Sequence, residues 1–367
     1  RQHLKTSSRE FYTNVTQRGN YILYRGIDED GNVFKRREEF RPTMFVSSKE
    51  KTKFRTLDGL YVEPIQPGNI KETRDFINQY QDVQGFRIYG NNDFVYQFIG
   101  KKYRGEIDYD FSKVKVATID IECESEYGFP SPQNANEKIT VDFDGLIYVF
   151  GLGKFSLDES SYEGRLLQFQ FDTEEELLES FLSVWESESP DVVTGWNVRF
   201  FDIPYLVNRI TAVIGESNAK KLSPWKFLKE RNIKKMNREN QTYELAGIST
   251  LDYYELYQTF TYVNQESYRL DHIAFVELGE KKLSYDEYDS MATFYKKDFQ
   301  KFIEYNVKDV ELVKKLEDKM KLLELSVSLA YSAKVNFMDV FGQVRTWDCI
   351  IYHYLMDHNI VIPPKSS

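Results

Sequence analysis

The chain has 367 residues, of which 41% are hydrophobic, and this is enough sequence for two or three domains with a sizeable core. Its two cysteines lie far apart and its four histidines lack metal-ligand spacing, which argues against a zinc site or a disulfide framework and indicates a reducing compartment. The net charge of −10 argues against a general nucleic-acid binder, although carboxylates that hold cations would explain part of this charge.

The first part of the chain, residues 9–105, is predicted to form a small sheet with one helix against it. Alternating hydrophobic residues predict the strands, and a helical pattern follows a Pro-Gly pair. The predicted elements are strands within 11–24 and 33–46 around a turn at 28–32, a helix over 70–80, and strands over 86–89 and 94–99.

The middle part, residues 106–339, alternates strand and helix patterns, which predicts a mixed sheet flanked by helices. Thr173 and Glu176 fit a capping box at the start of its first helix. The tail, 340–367, finishes in a Pro-containing stretch that we interpret as a linker. The predicted elements are three meandering strands over 114–122, 146–155 and 166–171, a helix over 173–186, a strand over 191–194, and helices over 203–214 and 297–330.

Two acids, Asp120 and Glu122, stand at the end of the predicted strand 114–122. Residues i and i+2 of a strand share one face, so both carboxylates can point at one site. The alternative is that the pair only makes hydrogen bonds at a strand end. A similar pair, Asp172 and Glu174, is explained by the preference of helix N-termini for acids.

Two later segments supply further polar groups. Asn197 to Asp202 (NVRFFD) follows a strand and a turn at Gly195, and the alternative for Asp202 is a simple helix cap. Tyr305 and Asp309 are i and i+4 on one helix face, and the alternative is a half-buried tyrosine with an exposed acid. Together the segments give four carboxylates and a tyrosine, a set suited to two hard divalent cations and to phosphodiester cleavage.

In this order the three segments resemble the motifs of the proofreading 3′–5′ exonucleases of ribonuclease H-like fold, in the subclass with tyrosine in the third motif. A closer resemblance, over nearly the whole chain, is to the replicative family B DNA polymerases of T-even-like bacteriophages. The chain has no Ser-Leu-Tyr-Pro-Ser or Asp-Thr-Asp polymerase signature, so DNA synthesis is not expected from it alone. The segments that carry the closer resemblance are 120–130 (DIECESEYGFP), 194–209 (TGWNVRFFDIPYLVNR), 215–217 (GES), 346–348 (TWD), 11–12 (FY), 41–45 (RPTMF) and 305–306 (YN).

The resemblance implies a mixed α/β (α+β) architecture with two domains. One is a smaller α+β N-terminal domain over residues 1–105, with 340–367 packing back on it. The other is a ribonuclease H-like exonuclease domain over 106–339. Within the latter, residues 234–245 occupy the place of a β-hairpin that helps to part primer from template.

The resemblance also implies the roles of the site residues. It implies that the four acids hold two ions of Mg²⁺ or Mn²⁺, that Tyr305 helps to place the attacking water, and that Phe129 contacts the unpaired 3′ end of DNA. The implied metal ligands are Asp120, Glu122, Asp202 and Asp309, and the implied DNA-binding residues are Phe129, Asn197 and Phe201.

We therefore expect a 3′–5′ exodeoxyribonuclease that forms part of a DNA polymerase and acts in the cytoplasm of an infected bacterium. Its expected partners are the 3′ end of single-stranded DNA, the C-terminal polymerase portion in the same or a separate polypeptide, and RNA at the N-terminal domain. No membrane partner is expected, because no apolar run approaches the ~20 residues that a spanning helix needs. The alternative function is a catalytically silent nucleic-acid-binding or docking module of a split polymerase.

Overall fold

A computed structural model describes residues 10–123, 137–235, 238–280, 287, 289 and 291–365 of the chain. The chain divides into two compact units: a central unit, Val114–Leu325, and a flanking unit made of Arg1–Lys113 and Ser326–Ser367. The sequence prediction put the domain limits near 105 and 339, and that assignment of functional domains stays a prediction.

The N-terminal part of the flanking unit contains two small sheets and two helices. In chain order its elements are β1 (Phe11–Arg18), β2 (Tyr21–Ile27), β3 (Val33–Glu39), β4 (Met44–Ser47), β5 (Phe54–Thr56), β6 (Tyr61–Ile65), α1 (Ile70–Tyr80), β7 (Ile88–Tyr89) and α2 (Phe94–Lys102). Strands β1, β2 and β3 form an antiparallel sheet. The predicted helix over 70–80 is confirmed, and a capping box between Asn69 and Glu72 fixes its start.

The strand predicted over 94–99 is wrong, because these residues begin helix α2. Phe94, Tyr96, Phe98 and Ile99 are all buried, so residues 94–99 show no 3.6-residue period in the sequence. Gln97 is buried as well, and its amide group donates to the Thr43 carbonyl and accepts from the Thr43 amide, both at 2.8 Å. A short, wholly buried apolar run can be either a strand or a helix, and here the tertiary contacts select the helix.

The central unit is built on one mixed sheet of six strands in the order β11-β10-β9-β8-β12-β15. In chain order its elements are β8 (Val116–Cys123), β9 (Glu137–Phe143), β10 (Leu146–Leu152), β11 (Arg165–Phe171), α3 (Glu174–Glu188), β12 (Val192–Thr194), α4 (Asp202–Ile214), α5 (Glu216–Ala219), β13 (Leu228–Lys235), β14 (Arg238–Leu245), β15 (Ser249–Thr250), α6 (Tyr253–Phe260), α7 (Leu270–Leu278), α8 (Met291–Lys297) and α9 (Phe299–Met320).

The predicted mixed sheet is confirmed, but its predicted strand order needs two corrections. The sequence reading overlooked β9, which pairs antiparallel with both β8 and β10. In addition, β10 and β11 run parallel, so the three predicted strands do not form a meander. The polar side chains of β9, Lys138, Thr140 and Asp142, are buried, and this hides the usual contrast between an apolar and a solvated strand face.

The remaining elements correct one further prediction. They are α10 (Leu322–Ala333), which crosses the limit between the units, then α11 (Gln343–Asp357) and β16 (Ile360–Val361) in the flanking unit. The single helix predicted over 297–330 is two helices, because Lys321 adopts a left-handed conformation (φ 57°) that ends α9. The tail after residue 340 contains a 15-residue helix before its final coil.

The sheet of the central unit is covered by helices on both faces. Tyr148 and Phe150 of β10 belong to the core formed with α3 and α4, whereas Ile147 and Val149 pack with Ile303 of α9. Alternate residues of one strand therefore reach different helical layers. Among the described residues, no helix is both long enough and apolar enough to cross a bilayer.

Candidate active site

Strand β8 directs two carboxylates to the α9 side of the sheet. Ile119 and Ile121 are buried in the core with α3 and α4. The intervening Asp120 contacts Asn306 of α9, so the alternation of the strand places Asp120 and Glu122 together on the face that α9 covers. The alternation of side chains along β8 thus places its isoleucines in the apolar core and its two acids in the candidate site.

Helix α9 brings a third carboxylate to the same place. Asp309 is buried, and Asp120, Glu122 and Asp309 each offer an oxygen atom such that the three atoms lie within 4.8 Å of one another. Hard oxygen donors at this spacing match the ligand preference of Mg²⁺ or Mn²⁺. The donor set therefore fits a divalent cation, and the sequence alternative of an exposed Asp309 is wrong.

The fourth acid, Asp202, is the first residue of α4 and is fully buried in the same pocket. Strand β12 pairs with β8 only as far as Thr118, and beyond that point Asp202 Oδ1 accepts a hydrogen bond of 2.8 Å from the Ile121 amide. The Asp202 side chain therefore provides a hydrogen-bond acceptor for β8 beyond the point where β12 stops pairing with it.

The charge state of Asp202 reflects the crowding of these acids. Burial raises the pKa of its carboxyl well above the usual range, and the negative charge of Asp120 raises it further. The Ile121 amide acts in the opposite direction because it donates to the ionised form. A pocket in which a neighbouring carboxylate raises the pKa of Asp202 is suited to receive positive charge.

Asn306 fixes the position of Asp120. Its Nδ2 donates to Asp120 Oδ2 at 2.6 Å, and its Oδ1 accepts from the Thr140 hydroxyl of β9. The amide is fully buried, so the two contacts hold it between β9 and β8. Sequence reasoning did not assign this residue a role, although it lies between Tyr305 and Asp309 in the third motif.

Asp252, at the N-terminus of α6, organises the loop that follows β12. Its carboxylate accepts backbone hydrogen bonds of 3.0 Å from Asn197, Arg199 and Tyr254, and the side chain is fully buried. Burial raises the pKa of this carboxyl to about 7. The loop needs such support because Asn197 has a left-handed backbone (φ 66°). Sequence reasoning missed Asp252, and the only signal was an Asp before a helical pattern.

The carboxylates open into a pocket of about 640 Å³. Its walls include the aromatic residues Trp196, Phe201, Tyr254 and Tyr268 together with Arg269. The Trp196 indole donates to the Tyr268 carbonyl at 3.1 Å, so part of this wall is held by a hydrogen bond. Aromatic faces and a guanidinium beside acids suit a ligand that carries both bases and phosphates.

A buried cation lies on the α9 side of β9. Lys138 is fully buried, and its ammonium nitrogen lies 3.7 Å from the ring centroid of Phe299 and 4.0 Å from that of Phe302. In strand register Lys138 stands opposite Glu122. Directly opposed residues project from the same face, so this positive charge belongs to the surroundings of the acid cluster.

The other predicted site residues have three different outcomes. Asn197 and Phe201 line the pocket with the acids. Tyr305 is buried one turn before Asp309, with its ring edge towards Phe294 at 6.1 Å, and it is not among the described residues that line the pocket. Phe129 lies outside the described residues. The predicted hairpin over 234–245 corresponds to the antiparallel pair β13 and β14, and residues 236–237 also lie outside the described residues.

Comparison with known proteins agrees with this geometry. Residues 92–273 match the family model described as "DNA polymerase family B, exonuclease domain". The mixed sheet with its acid cluster is thus an exonuclease domain of ribonuclease H-like type. The chain belongs to the family B DNA polymerases, of which it carries the exonuclease domain.

Among the curated relatives, two phage proteins align with almost the whole chain. The DNA-directed DNA polymerase of Escherichia phage RB69 is 34% identical over 388 residues, covering 98% of this chain and 42% of that protein. The polymerase of Enterobacteria phage T4 is 33% identical, with the same 98% and 42% coverage. The DNA polymerase catalytic subunit of Gallid herpesvirus 2 is 28% identical over 69% of this chain.

The chain therefore spans about two fifths of the length of the two phage polymerases that it matches. Membership in this family confirms the expected exonuclease domain and does not favour the alternative of a catalytically silent binding module.

Proposed function

We propose that this chain hydrolyses nucleotides from the 3′ end of single-stranded or frayed DNA, as the proofreading 3′–5′ exonuclease of a family B polymerase. The observation that carries the proposal is the cluster of Asp120, Glu122 and Asp309 oxygens within 4.8 Å, in a pocket that Asp202 also lines. Four acids on a sheet end and two helices match the requirements of metal-assisted phosphodiester hydrolysis.

Two ions of Mg²⁺ or Mn²⁺ are the proposed cofactors, with Asp120, Glu122, Asp202 and Asp309 as their ligands. When bound, divalent cations supply the positive charge that activates water and offsets negative charge on the leaving 3′ oxygen. The raised pKa of Asp202 supports this assignment, since a neighbouring cation would remove the repulsion from Asp120.

The proposed roles of the other side chains follow from their positions. Asn306 holds Asp120 in place, and Asp202 is held by the Ile121 amide, so neither acid needs to reorganise when substrate binds. Glu122 would accept a hydrogen bond from the terminal 3′ hydroxyl. Tyr305, with Asp309, would orient the attacking water, and the products would be deoxynucleoside 5′-monophosphates.

The aromatic wall accounts for the proposed preference for single strands. Bases that leave the duplex can stack on Phe201, Trp196 or Tyr268, while Asn197 and Arg269 lie within reach of the backbone. A paired terminus would first have to lose its base pairing, so frayed or mismatched ends are the better substrates. Phe129 is the further proposed contact to the 3′ base, and the β13–β14 hairpin is proposed to help separate the strands.

In the cell, this unit is proposed to work with a polymerase portion, in the same polypeptide or in a second chain, in the cytoplasm of an infected bacterium. The similarity to phage polymerases over 98% of the chain supports this context. RNA binding by residues 1–105, with 340–367 packed on them, is a separate proposal.

The test is degradation of a 5′-labelled single-stranded oligonucleotide in Mg²⁺, Mn²⁺ or EDTA. We expect a metal-dependent ladder that shortens from the 3′ end. The double variant Asp120→Asn with Asp202→Asn should abolish it, and asparagine keeps an acceptor for the Ile121 amide. Glu179→Gln, an exposed acid on α3, is the matched control. Cleavage that persists in the double variant would exclude these acids as the site.

A further inference from the structure

Helix α11 of the flanking unit carries an exposed apolar stripe. Val344, Trp347, Ile351 and Tyr354 recur at spacings of three and four residues, so they lie on one helix face. Their exposed fractions are 77%, 64%, 51% and 62%. We call these four residues the α11 stripe, which runs for about 15 Å along the helix at 1.5 Å per residue. An exposed tryptophan in a continuous apolar row indicates an interaction surface.

The stripe is presented on a firmly anchored helix. The opposite side of α11 is buried through Cys349, Tyr352 and His353. The ring of His353 fits against Gly100 of α2 so closely that a Cβ on this glycine would lie 2.7 Å from ring atoms. One face of α11 is packed in a core while another is apolar and exposed to solvent. The helix is therefore held in place, and its apolar face is exposed although the helix itself is packed.

Polar groups border the stripe. Next to Trp347, Asp348 forms an ion pair of 2.7 Å with Lys365, whose backbone is held by Asn92 through two hydrogen bonds. One turn towards the N-terminus, on the same flank of the stripe, Arg345 pairs with Asp339 at 3.2 Å. An apolar centre with aromatic anchors and a charged rim is the usual organisation of a protein–protein interface.

We propose that the α11 stripe is the docking surface for the polymerase portion that completes the relatives of this chain. More than half of each phage polymerase has no counterpart in this chain, although 98% of this chain aligns with them. The segment 346–348, which contains Trp347, also belongs to the parts of the sequence that resemble those polymerases. Lys365, the last described residue, lies beside this helix through its ion pair with Asp348.

Two other occupants fit the surface less well. A second copy of this chain carries the same net charge of −10, and so does not complement the first electrostatically. An anionic lipid surface would meet the same repulsion. The inference rests on family membership and not on nuclease activity, so the docking proposal and the proposed nuclease function can fail separately.

The first experiment is hydroxyl-radical footprinting, which compares this chain alone with the complete polymerase. The complete polymerase contains the polymerase portion that the source genome encodes, either in the same polypeptide or in a second one. Trp347 and Tyr354 should lose most of their oxidation in the complete polymerase. Tyr262, which is 99% exposed in the central unit, is the control for radical dose. Unchanged oxidation of Trp347 would overturn the proposal.

Variants provide the second experiment. Ile351→Glu and Trp347→Ala should each weaken association with the polymerase portion by about tenfold or more. Where both portions belong to one polypeptide, the association is measured between the two halves after limited proteolysis. Val263→Glu, at a 71% exposed apolar residue outside the stripe, should not. Both stripe variants should keep the circular dichroism spectrum and the hydrolysis of single-stranded DNA. Association as strong as that of the native chain would overturn the proposal. The proposal would also be overturned if this chain alone formed a dimer and Ile351→Glu dissociated that dimer.

Discussion

Asp252 provides a sharp test of how the pocket is held together. The side chain is fully buried, and its two oxygens accept three backbone hydrogen bonds of 3.0 Å from Asn197, Arg199 and Tyr254. Replacement by alanine would leave three amide groups without their acceptor. A buried donor without a partner costs about 1–3 kcal/mol, and loss of a helix cap costs about 1 kcal/mol.

We expect Asp252→Ala to lower the free energy of unfolding of the central unit by about 3–7 kcal/mol, the sum of about 1–3 kcal/mol for each of the two loop amides and about 1 kcal/mol for the helix cap. Asp252→Asn keeps one carbonyl acceptor in the same space, so its cost should be smaller, about 1–2 kcal/mol. There is an opposing contribution, since burial raises the pKa of this carboxyl to about 7, and removal of the acid also removes that burial penalty.

The assay is urea unfolding at pH 7.5 combined with hydrogen exchange, read on peptides that contain the Asn197, Arg199 and Tyr254 amides. These three amides should lose protection together in Asp252→Ala. The control is Asp158→Ala, an acid on an exposed turn that accepts from the Ser160 amide at 3.0 Å. An Asp252→Ala protein as stable as the native chain would refute the reasoning, because the desolvation of the acid would then outweigh its hydrogen bonds.

Three further predictions concern a site residue and the buried histidine. Asn306→Ala should reduce the rate of DNA hydrolysis by about 10–100-fold, since Asp120 loses the 2.6 Å contact that orients it, and an unchanged rate in a single-turnover assay would contradict this role. Burial lowers the pKa of His353 to about 4, below its usual value of 6.5, so the unfolded chain binds the proton first as the pH falls. Stability from this group is fully present above pH 6.5 and should decline by up to about 3 kcal/mol as the pH falls towards 4. Urea unfolding across this range should show the decline in the native protein and a smaller one in His353→Gln, whereas identical profiles would contradict it. Gly100→Ala should destabilise the flanking unit by about 1–3 kcal/mol, because the new Cβ would lie 2.7 Å from the His353 ring, and the additional change His353→Ala should recover part of that loss in a thermal-unfolding cycle.

Local sequence patterns determined much of the scaffold. The helix over 70–80 is marked by a cap and a clear period, and the strand that carries Asp120 and Glu122 is marked by its apolar alternation. These features depend on neighbours along the chain, so the sequence reveals them. The ordered acids, together with the longer segments that carry the resemblance, likewise predicted the family.

Tertiary structure decided the features that depend on contacts distant in sequence. The run 94–99 buries five of its six side chains, so its sequence carries no period that marks a helix, and β9 was not predicted because its polar residues are buried. The sequence also did not predict that Asp252 and Asn306 support the site. Asp252 accepts from Asn197, about 50 residues away, and Asn306 donates to Asp120, about 190 residues away, at 2.6 Å. A sequence shows which acids are available, but the low-dielectric pocket that raises the pKa of Asp202 exists only after the sheet and helices have packed.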